Sequence, residues 1–152
     1  MKKYIYYLIL CLFLNGCGFT PIYLENKNLN FSINVINALG DRKVNEAIES
    51  SLQKYSKKSD NKKNYEIEIN SQTTKKTVSK NKAGVISQIK LIINVNFNVT
   101  NNDKNFGLTF TEEFNIKKTN NIIDDNLYEN QVKENMGLSI SEKLIFEISK
   151  FE

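Results

Sequence analysis

The chain contains no histidine and no tryptophan, and only two of its 152 residues are cysteine and one is proline. Without histidine a Ser-His-Asp triad is impossible, and neither a glycine-rich phosphate loop nor a G-x-S-x-G motif occurs. Because histidine and cysteine are the usual ligands of zinc, we expect no zinc site. We therefore expect no metal and no cofactor, and we favour a non-enzymatic protein. Chemistry based on carboxylates or lysine stays open as a less favoured alternative.

Both cysteines lie near the start of the chain. The apolar run from Tyr4 to Leu14 falls within the ~7–15 residues of a secretory h-region and is short of the ~20 that span a bilayer. It ends in Leu14-Asn15-Gly16-Cys17, which resembles the bacterial lipobox, and no A-x-A-like cleavage site follows. We interpret residues 1–16 as a lipoprotein signal peptide that is removed and Cys17 as the lipidated residue. The alternative is an ordinary signal peptide that contains a cysteine.

The rest of the chain is long enough for one hydrophobic core. We expect residues 17–29 to form the lipidated N-terminus and a linker, and residues 30–152 to form a single domain. Removing Lys2 and Lys3 lowers the formal net charge from +4 to about +2. So weak an excess, together with export, argues against nucleic-acid binding. No thiol remains for a disulfide once Cys17 is acylated.

Hydrophobic periodicity predicts the element order β-α-β-β-β-α. The predicted strands are 30–36, 65–80, 85–99 and 106–116, and the predicted helices run from a cap at Asp41 to about Lys57 and from a cap at Asp124 or Asp125 to Phe151. One helix between the first two strands predicts a parallel crossover, and the short polar connections that follow predict antiparallel hairpins. The predicted fold class is α+β, a four-stranded mixed β-sheet with two helices packed on one face. The other face is polar.

Two residues interrupt these patterns. Glu112 falls on the inward face of the last strand, which predicts a β-bulge there. Gly137 lies inside the last helix, where glycine costs ~1 kcal/mol relative to alanine. It either permits close contact between the helix and the sheet or breaks the helix, and we favour close contact.

The segment Cys17-Gly18-Phe19-Thr20-Pro21-Ile22-Tyr23 resembles the start of the LPS-assembly lipoprotein family (LptE). The element order and the chain length are also similar to those of that family. The resemblance implies a periplasm-facing outer-membrane lipoprotein that sits inside the barrel of an LptD-type β-barrel protein. It also implies that the protein assists barrel assembly, binds lipopolysaccharide and helps to deliver it to the outer leaflet.

Lysines cluster on two segments of the predicted sheet. They are Lys75, Lys76, Lys80 and Lys82 around the first hairpin tip, and Lys117 and Lys118 after the last strand. Hairpin geometry predicts that both clusters lie at the same end of the sheet. These lysines are candidate contacts for the phosphates and acidic sugars of lipopolysaccharide. Edge protection and solubility are the alternative explanation, which we favour from the sequence.

The polar sheet face fits the polar lumen of a barrel. One-sided sheets are nevertheless common without a partner, so a second function stays open. This alternative is a lipid-anchored periplasmic binding or scaffold module for another envelope component.

Overall fold

The structure is a computed structural model that describes residues 31–56, 63–102, 104–119 and 121–151. Its elements are β1 (Phe31–Gly40), α1 (Arg42–Leu52), β2 (Lys63–Lys80), β3 (Ile86–Asn101), β4 (Lys104–Lys117) and α2 (Ile122–Ser149). The observed order confirms the predicted fold class. The predicted signal peptide, the lipidation at Cys17 and the linker lie outside the described residues.

The four strands form one mixed sheet in the order β1-β2-β3-β4. β1 pairs with β2 in parallel, and the two later pairs are antiparallel. Both helices cover one face of the sheet, which we call the inner face, and the opposite face is the open face. The core between the helices and the inner face includes Ile48, Ile67, Leu91, Phe97 and Ile140.

Helix α1 begins as the sequence predicts and ends earlier. The Asp41 carboxylate accepts hydrogen bonds from the backbone N–H groups of Lys43 (3.0 Å) and Val44 (3.4 Å), so the predicted cap is confirmed. The α-helix ends at Leu52, not near Lys57, and a 3₁₀ turn (Gln53–Tyr55) follows it. Leu52 is the last fully buried residue of the helix, and Tyr55 in the 3₁₀ turn still packs against the core.

The predicted cap of α2 is wrong. Asn121 is the N-cap, and its side chain accepts from the backbone N–H groups of Ile123 (3.0 Å) and Asp124 (3.4 Å). Asparagine caps a helix as well as aspartate does, so capping propensity gave no reason to prefer the predicted Asp124 or Asp125 over Asn121. Asp124 and Asp125 lie in the first turn, where a negative charge is favourable beside the positive end of the helix dipole.

Gly137 lies in an unbroken α2 and approaches α1. A Cβ atom there would lie 2.9 Å from the carbonyl oxygen of Val44 and 3.0 Å from the Cβ of Ala47. Close contact was therefore the correct alternative. The partner is the other helix and not the sheet.

The bulge predicted at Glu112 is also wrong. The register of β3 and β4 runs without a shift from Gln88 opposite Lys117 to Asn101 opposite Lys104. Glu112 keeps its inward position because its carboxylate accepts hydrogen bonds from Ser139 and Lys143 of α2. Partners from a distant part of the chain make a charge acceptable on this face.

The sheet has two different ends. The chain enters β1 at the end where β3 finishes and β4 begins, which we call the proximal end. β1 stops opposite Ser71 and β4 stops opposite Gln88, so the β2–β3 hairpin extends past both neighbours. The 18 residues of β2 span roughly 60 Å at ~3.3 Å each. The hairpin tip and the start of α2 form what we call the distal end.

Candidate functional site at the distal end of the sheet

The structure brings both predicted lysine clusters to the distal end. Lys80 lies opposite Ile86 in the β2–β3 hairpin, and Lys117 lies opposite Gln88. The backbone N–H of Lys118 donates to the carbonyl oxygen of Ser87 over 2.9 Å, which holds the second cluster against the hairpin. The predicted proximity of the clusters therefore agrees with the structure.

Two of the six lysines face inward, toward Glu129 of α2. Glu129 is only 5% exposed. Its Oε1 lies 2.6 Å from Lys75 Nζ and 3.8 Å from Lys133 Nζ, and its Oε2 lies 3.6 Å from Lys118 Nζ. Lys75 and Lys118 therefore neutralise a buried carboxylate of their own chain.

The same cluster reaches the start of α1. Lys133 Nζ lies 2.7 Å from Asp41 Oδ2, and the hydroxyl of Thr73 donates to that oxygen over 2.9 Å. Burial raises the pKa of Asp41, but the hydrogen bonds from Lys133 and Thr73 outweigh burial and hold the pKa below its usual value. We call the five charged residues Asp41, Lys75, Lys118, Glu129 and Lys133 the Glu129 cluster. Its three ammonium groups face two carboxylates, so most of its charge is balanced.

Sequence reasoning missed Glu129 because a glutamate next to an apolar helical stripe is usually solvated. A signal was present, since Glu129 and Lys133 have the i, i+4 spacing of a helical ion pair. That spacing indicates that the two residues can pair. It does not indicate that they are buried.

The other four lysines face solvent. Lys76 lies on the open face near Glu113, and Lys90 Nζ lies 2.9 Å from the carboxylate of Glu113. The hydrogen bond and charge of Lys90 lower the pKa of Glu113, with a smaller contribution from Lys76. The ammonium groups of Lys80, Lys82 and Lys117 form no hydrogen bond or ion pair with the residues that the structure describes.

The turn that carries Lys80 and Lys82 is held by its own hydrogen bonds. The Asn81 side chain accepts from the backbone N–H groups of Ala83 and Val85, each over 3.0 Å. Gly84 has φ +79°, a conformation that glycine adopts without strain. The two lysines are therefore presented on an ordered turn.

Exposed apolar side chains also lie at the distal end. They are Val78, Val85 and Ile86 of the hairpin and Ile122, Ile123 and Leu127 of α2. Ile122 is the most exposed, at 77%. Lysine can pair with phosphate, and contact with hydrocarbon chains removes apolar side chains from water, which is favourable. The distal end therefore has the chemistry to bind an anionic amphiphile.

The open face is polar and internally hydrogen-bonded. The hydroxyls of Thr111 and Thr109 donate to the side-chain oxygens of Asn94 (2.6 Å) and Asn96 (2.7 Å). Asn98 donates to Glu68 over 3.0 Å. Such a surface can meet a polar partner without burying unpaired groups.

Within the described ranges, no cluster of three or more acidic, histidine or cysteine side chains is arranged to hold a metal ion. Nor does any helix in these ranges have the length and apolar character needed to cross a membrane.

No protein-family model matches the sequence, and no curated protein matches it significantly. Several solved structures share its fold. Rare lipoprotein B from Shewanella oneidensis superposes with a TM-score of 0.57 and 9% identity, over 78% of this chain and 96% of that one. A putative lipoprotein from Caulobacter crescentus gives 0.57 and 11%, over 81% and 90%. A minor lipoprotein from Acinetobacter baumannii gives 0.51 and 11%, over 77% and 93%.

Proposed function

We propose that this protein is an outer-membrane lipoprotein that partners an LptD-type β-barrel. In this proposal it occupies the barrel lumen, assists barrel assembly and helps to transfer lipopolysaccharide to the outer leaflet. The observation that carries the proposal is the joint presence of the Cys17–Tyr23 motif and a fold shared with three proteins that are named lipoproteins. The role is binding and scaffolding and involves no catalysis.

Lipidation of Cys17 would anchor the chain through its start. Each buried CH₂ of an acyl chain contributes ~0.8 kcal/mol, and stable anchoring needs more than one chain. The chain enters β1 at the proximal end, so the distal end is the end of the sheet farthest from Phe31. This arrangement leaves the distal end available for a ligand.

Lipopolysaccharide has phosphates and acyl chains, and the distal end has complementary groups. We assign phosphate contact to Lys80, Lys82 and Lys117, because no described residue neutralises them. Lys75 and Lys118 of the original candidate set are committed to Glu129. Lys76 lies near the carboxylate of Glu113, which partly balances its charge. The exposed apolar side chains of the hairpin and of α2 would lie against the acyl chains.

The open face fits the barrel side of the proposal. A barrel lumen is polar and hydrated, so a protein that fills it needs a polar surface. The Asn and Thr side chains of β3 and β4 provide such a surface and already satisfy one another in part. Docking would therefore leave few buried polar groups without a hydrogen bond.

Affinity purification of the tagged full-length chain from detergent-solubilised envelopes tests the barrel partnership. We expect a large outer-membrane β-barrel protein to copurify in stoichiometric amount, and a tagged unrelated lipoprotein serves as the control. Recovery of a different envelope component, with no barrel, would overturn the proposal and favour a binding or scaffold module. Absence of any partner would also overturn it.

A further inference from the structure

Strand β4 is a long, regular edge of the sheet. It has 14 residues, pairs with β3 without a register shift, and has no neighbour on its other side among the described residues. The opposite edge strand, β1, has ten residues and a register shift between Val35 and Asn37. Proteins usually shorten, bulge or cover edge strands, because an open edge pairs with other chains. β1 is shortened and bulged, and β4 is not.

The direction of the backbone groups of β4 follows from one hydrogen bond. The N–H of Lys118 donates to the carbonyl oxygen of Ser87, which is the residue opposite it in register. In an antiparallel pair such residues alternate with residues whose backbone groups point away. Even-numbered residues of β4 therefore bond β3. Thr109, Thr111 and Glu113 direct their backbone N–H and C=O groups to the open edge.

Apolar side chains and two depressions follow this edge on the inner face. Phe110 lines a depression of about 390 Å³ together with Phe146 of α2. Phe114, which is 43% exposed, lines another of about 340 Å³ together with Tyr128 and Met136. Each volume can hold a large apolar side chain. Phe110 and Phe114 are four residues apart on one strand face, so the depressions have the spacing of residues i and i+4 of an added strand.

Glu112 lines the second depression and lies between Phe110 and Phe114 along the strand face. Ser139 and Lys143 both donate to its Oε1, and its Oε2 accepts no hydrogen bond from a described residue. Burial raises the pKa of Glu112, but the hydrogen bonds from Lys143 and Ser139 outweigh burial and lower it. The carboxylate is therefore ionised at neutral pH and has one oxygen available for a cation.

We propose that the open edge of β4 binds an extended segment of a partner protein, with apolar residues at positions i and i+4 and a basic residue at i+2. The backbone of the segment would pair with β4 as a fifth strand. Its apolar side chains would fill the two depressions, and its basic side chain would face Glu112. On the open face, the hydroxyls of Thr109 and Thr111 already donate to Asn96 and Asn94. The side chains that the segment directs to that face therefore need no specific partner.

A different protein fits this edge better than a second copy of the chain. Antiparallel pairing of two β4 strands would place Phe110 opposite Phe114 only in the register that also sets Glu112 against Glu112. Like charges directly opposite each other destabilise a strand pair. The proposal does not depend on a barrel or on lipopolysaccharide, so it can fail or succeed separately from the proposed function.

Peptide titrations against the full-length chain test the recognition pattern. The probe is the capped heptapeptide Thr-Phe-Thr-Lys-Thr-Phe-Thr with a fluorophore, measured by anisotropy. We expect it to bind about tenfold more tightly than the matched peptide with a central Glu, because charge complementarity sets the register. A peptide with Ser in place of both Phe residues should not bind. Absence of binding by the Lys peptide, or equal binding by all three, would overturn the proposal.

Edge variants test the location of the peptide. Thr111→Pro removes an outward N–H without removing a bond to β3, and Thr111→Val is its matched control, since both lose the hydroxyl but only proline loses the donor. Binding should be lost in the first variant and kept in the second. Glu112→Gln, which keeps the edge intact, should abolish the preference for Lys over Glu. An unchanged preference, or binding to Thr111→Pro, would contradict the assignment.

Discussion

At the scale of single residues, the six candidate lysines differ in whether a carboxylate of the same chain lies beside their ammonium group. Lys75 and Lys118 face the buried Glu129, whereas Lys80, Lys82 and Lys117 face solvent. A buried charge is tolerated only when it is paired and hydrogen-bonded. The first pair therefore stabilises the fold. The second set can serve a ligand without a loss of stability.

Glu129→Gln should lower the free energy of unfolding by about 2 kcal/mol, because Lys75 and Lys118 would lose the carboxylate that neutralises them, while Lys133 would keep Asp41. Urea denaturation of the full-length chain measures this change. Glu134→Gln is the matched control, since Glu134 is on the same helix, is half exposed and lies 3.7 Å from Lys43. It should cost less than about 0.5 kcal/mol. Equal losses would show that burial of the Glu129 cluster does not matter.

The double variant Lys80→Ala/Lys82→Ala should weaken binding to immobilised lipopolysaccharide about tenfold, because charged hydrogen bonds to phosphate are lost. Its unfolding curve should not change, since neither ammonium pairs with a described residue. Lys54→Ala/Lys104→Ala removes the same charge at the proximal end. If this control weakened binding as much, the effect would be one of net charge and not of the distal end.

At the scale of elements, the close approach of α1 and α2 is set by a single glycine. The two helices meet where Gly137 faces Val44 and Ala47, and both lie on the inner face of the sheet. Glycine is unfavourable in a helix interior, so its presence here is explained by contact and not by propensity. The contact also fixes the position of Glu129, two turns earlier on α2.

Gly137→Ala should destabilise the protein by about 1–3 kcal/mol, because the added methyl overlaps a backbone oxygen at 2.9 Å. The gain of ~1 kcal/mol in helix propensity offsets only part of this cost. Thermal denaturation is the measurement. Gly107→Ala is the control, since the nearest atom to its Cβ would lie 3.9 Å away, and it should not destabilise. A more stable Gly137→Ala variant would contradict the packing.

At the scale of the whole molecule, the proximal and distal ends differ in the groups that they present. The predicted anchor leads into the proximal end, and the unpaired lysines and exposed apolar side chains lie at the distal end. The open face and the β4 edge lie between the two ends. A molecule arranged in this way can be attached at one end while it presents three separate surfaces.

Cys17→Ala should abolish labelling by fatty-acid probes and move the protein out of the membrane fraction. The reason is that the acyl chains proposed on Cys17 are what attaches the protein to the membrane. Metabolic labelling followed by fractionation measures both effects. Cys11→Ala is the control, since Cys11 lies within the predicted signal peptide and should leave both unchanged. Persistent labelling of Cys17→Ala would show that the lipobox is misassigned.

Local pattern was sufficient to predict the element order, the mixed sheet, the single helical face and the Asp41 cap. These features depend on periodicity and on neighbours a few residues apart, which are visible along the chain. It was not sufficient at the N-cap of α2, because Asn121 and Asp124, three positions apart, have similar capping propensity.

Only the packing of the elements determined which charged side chains are buried and which residue each of them pairs with. Lys75 and Glu129 are 54 positions apart, and Glu112 and Lys143 are 31 apart, so no local rule joins them. The helix partner of Gly137 and the open edge of β4 likewise depend on how the elements assemble. Charge pairing and strand pairing act between elements, and their outcome is fixed only when the sheet and both helices have come together.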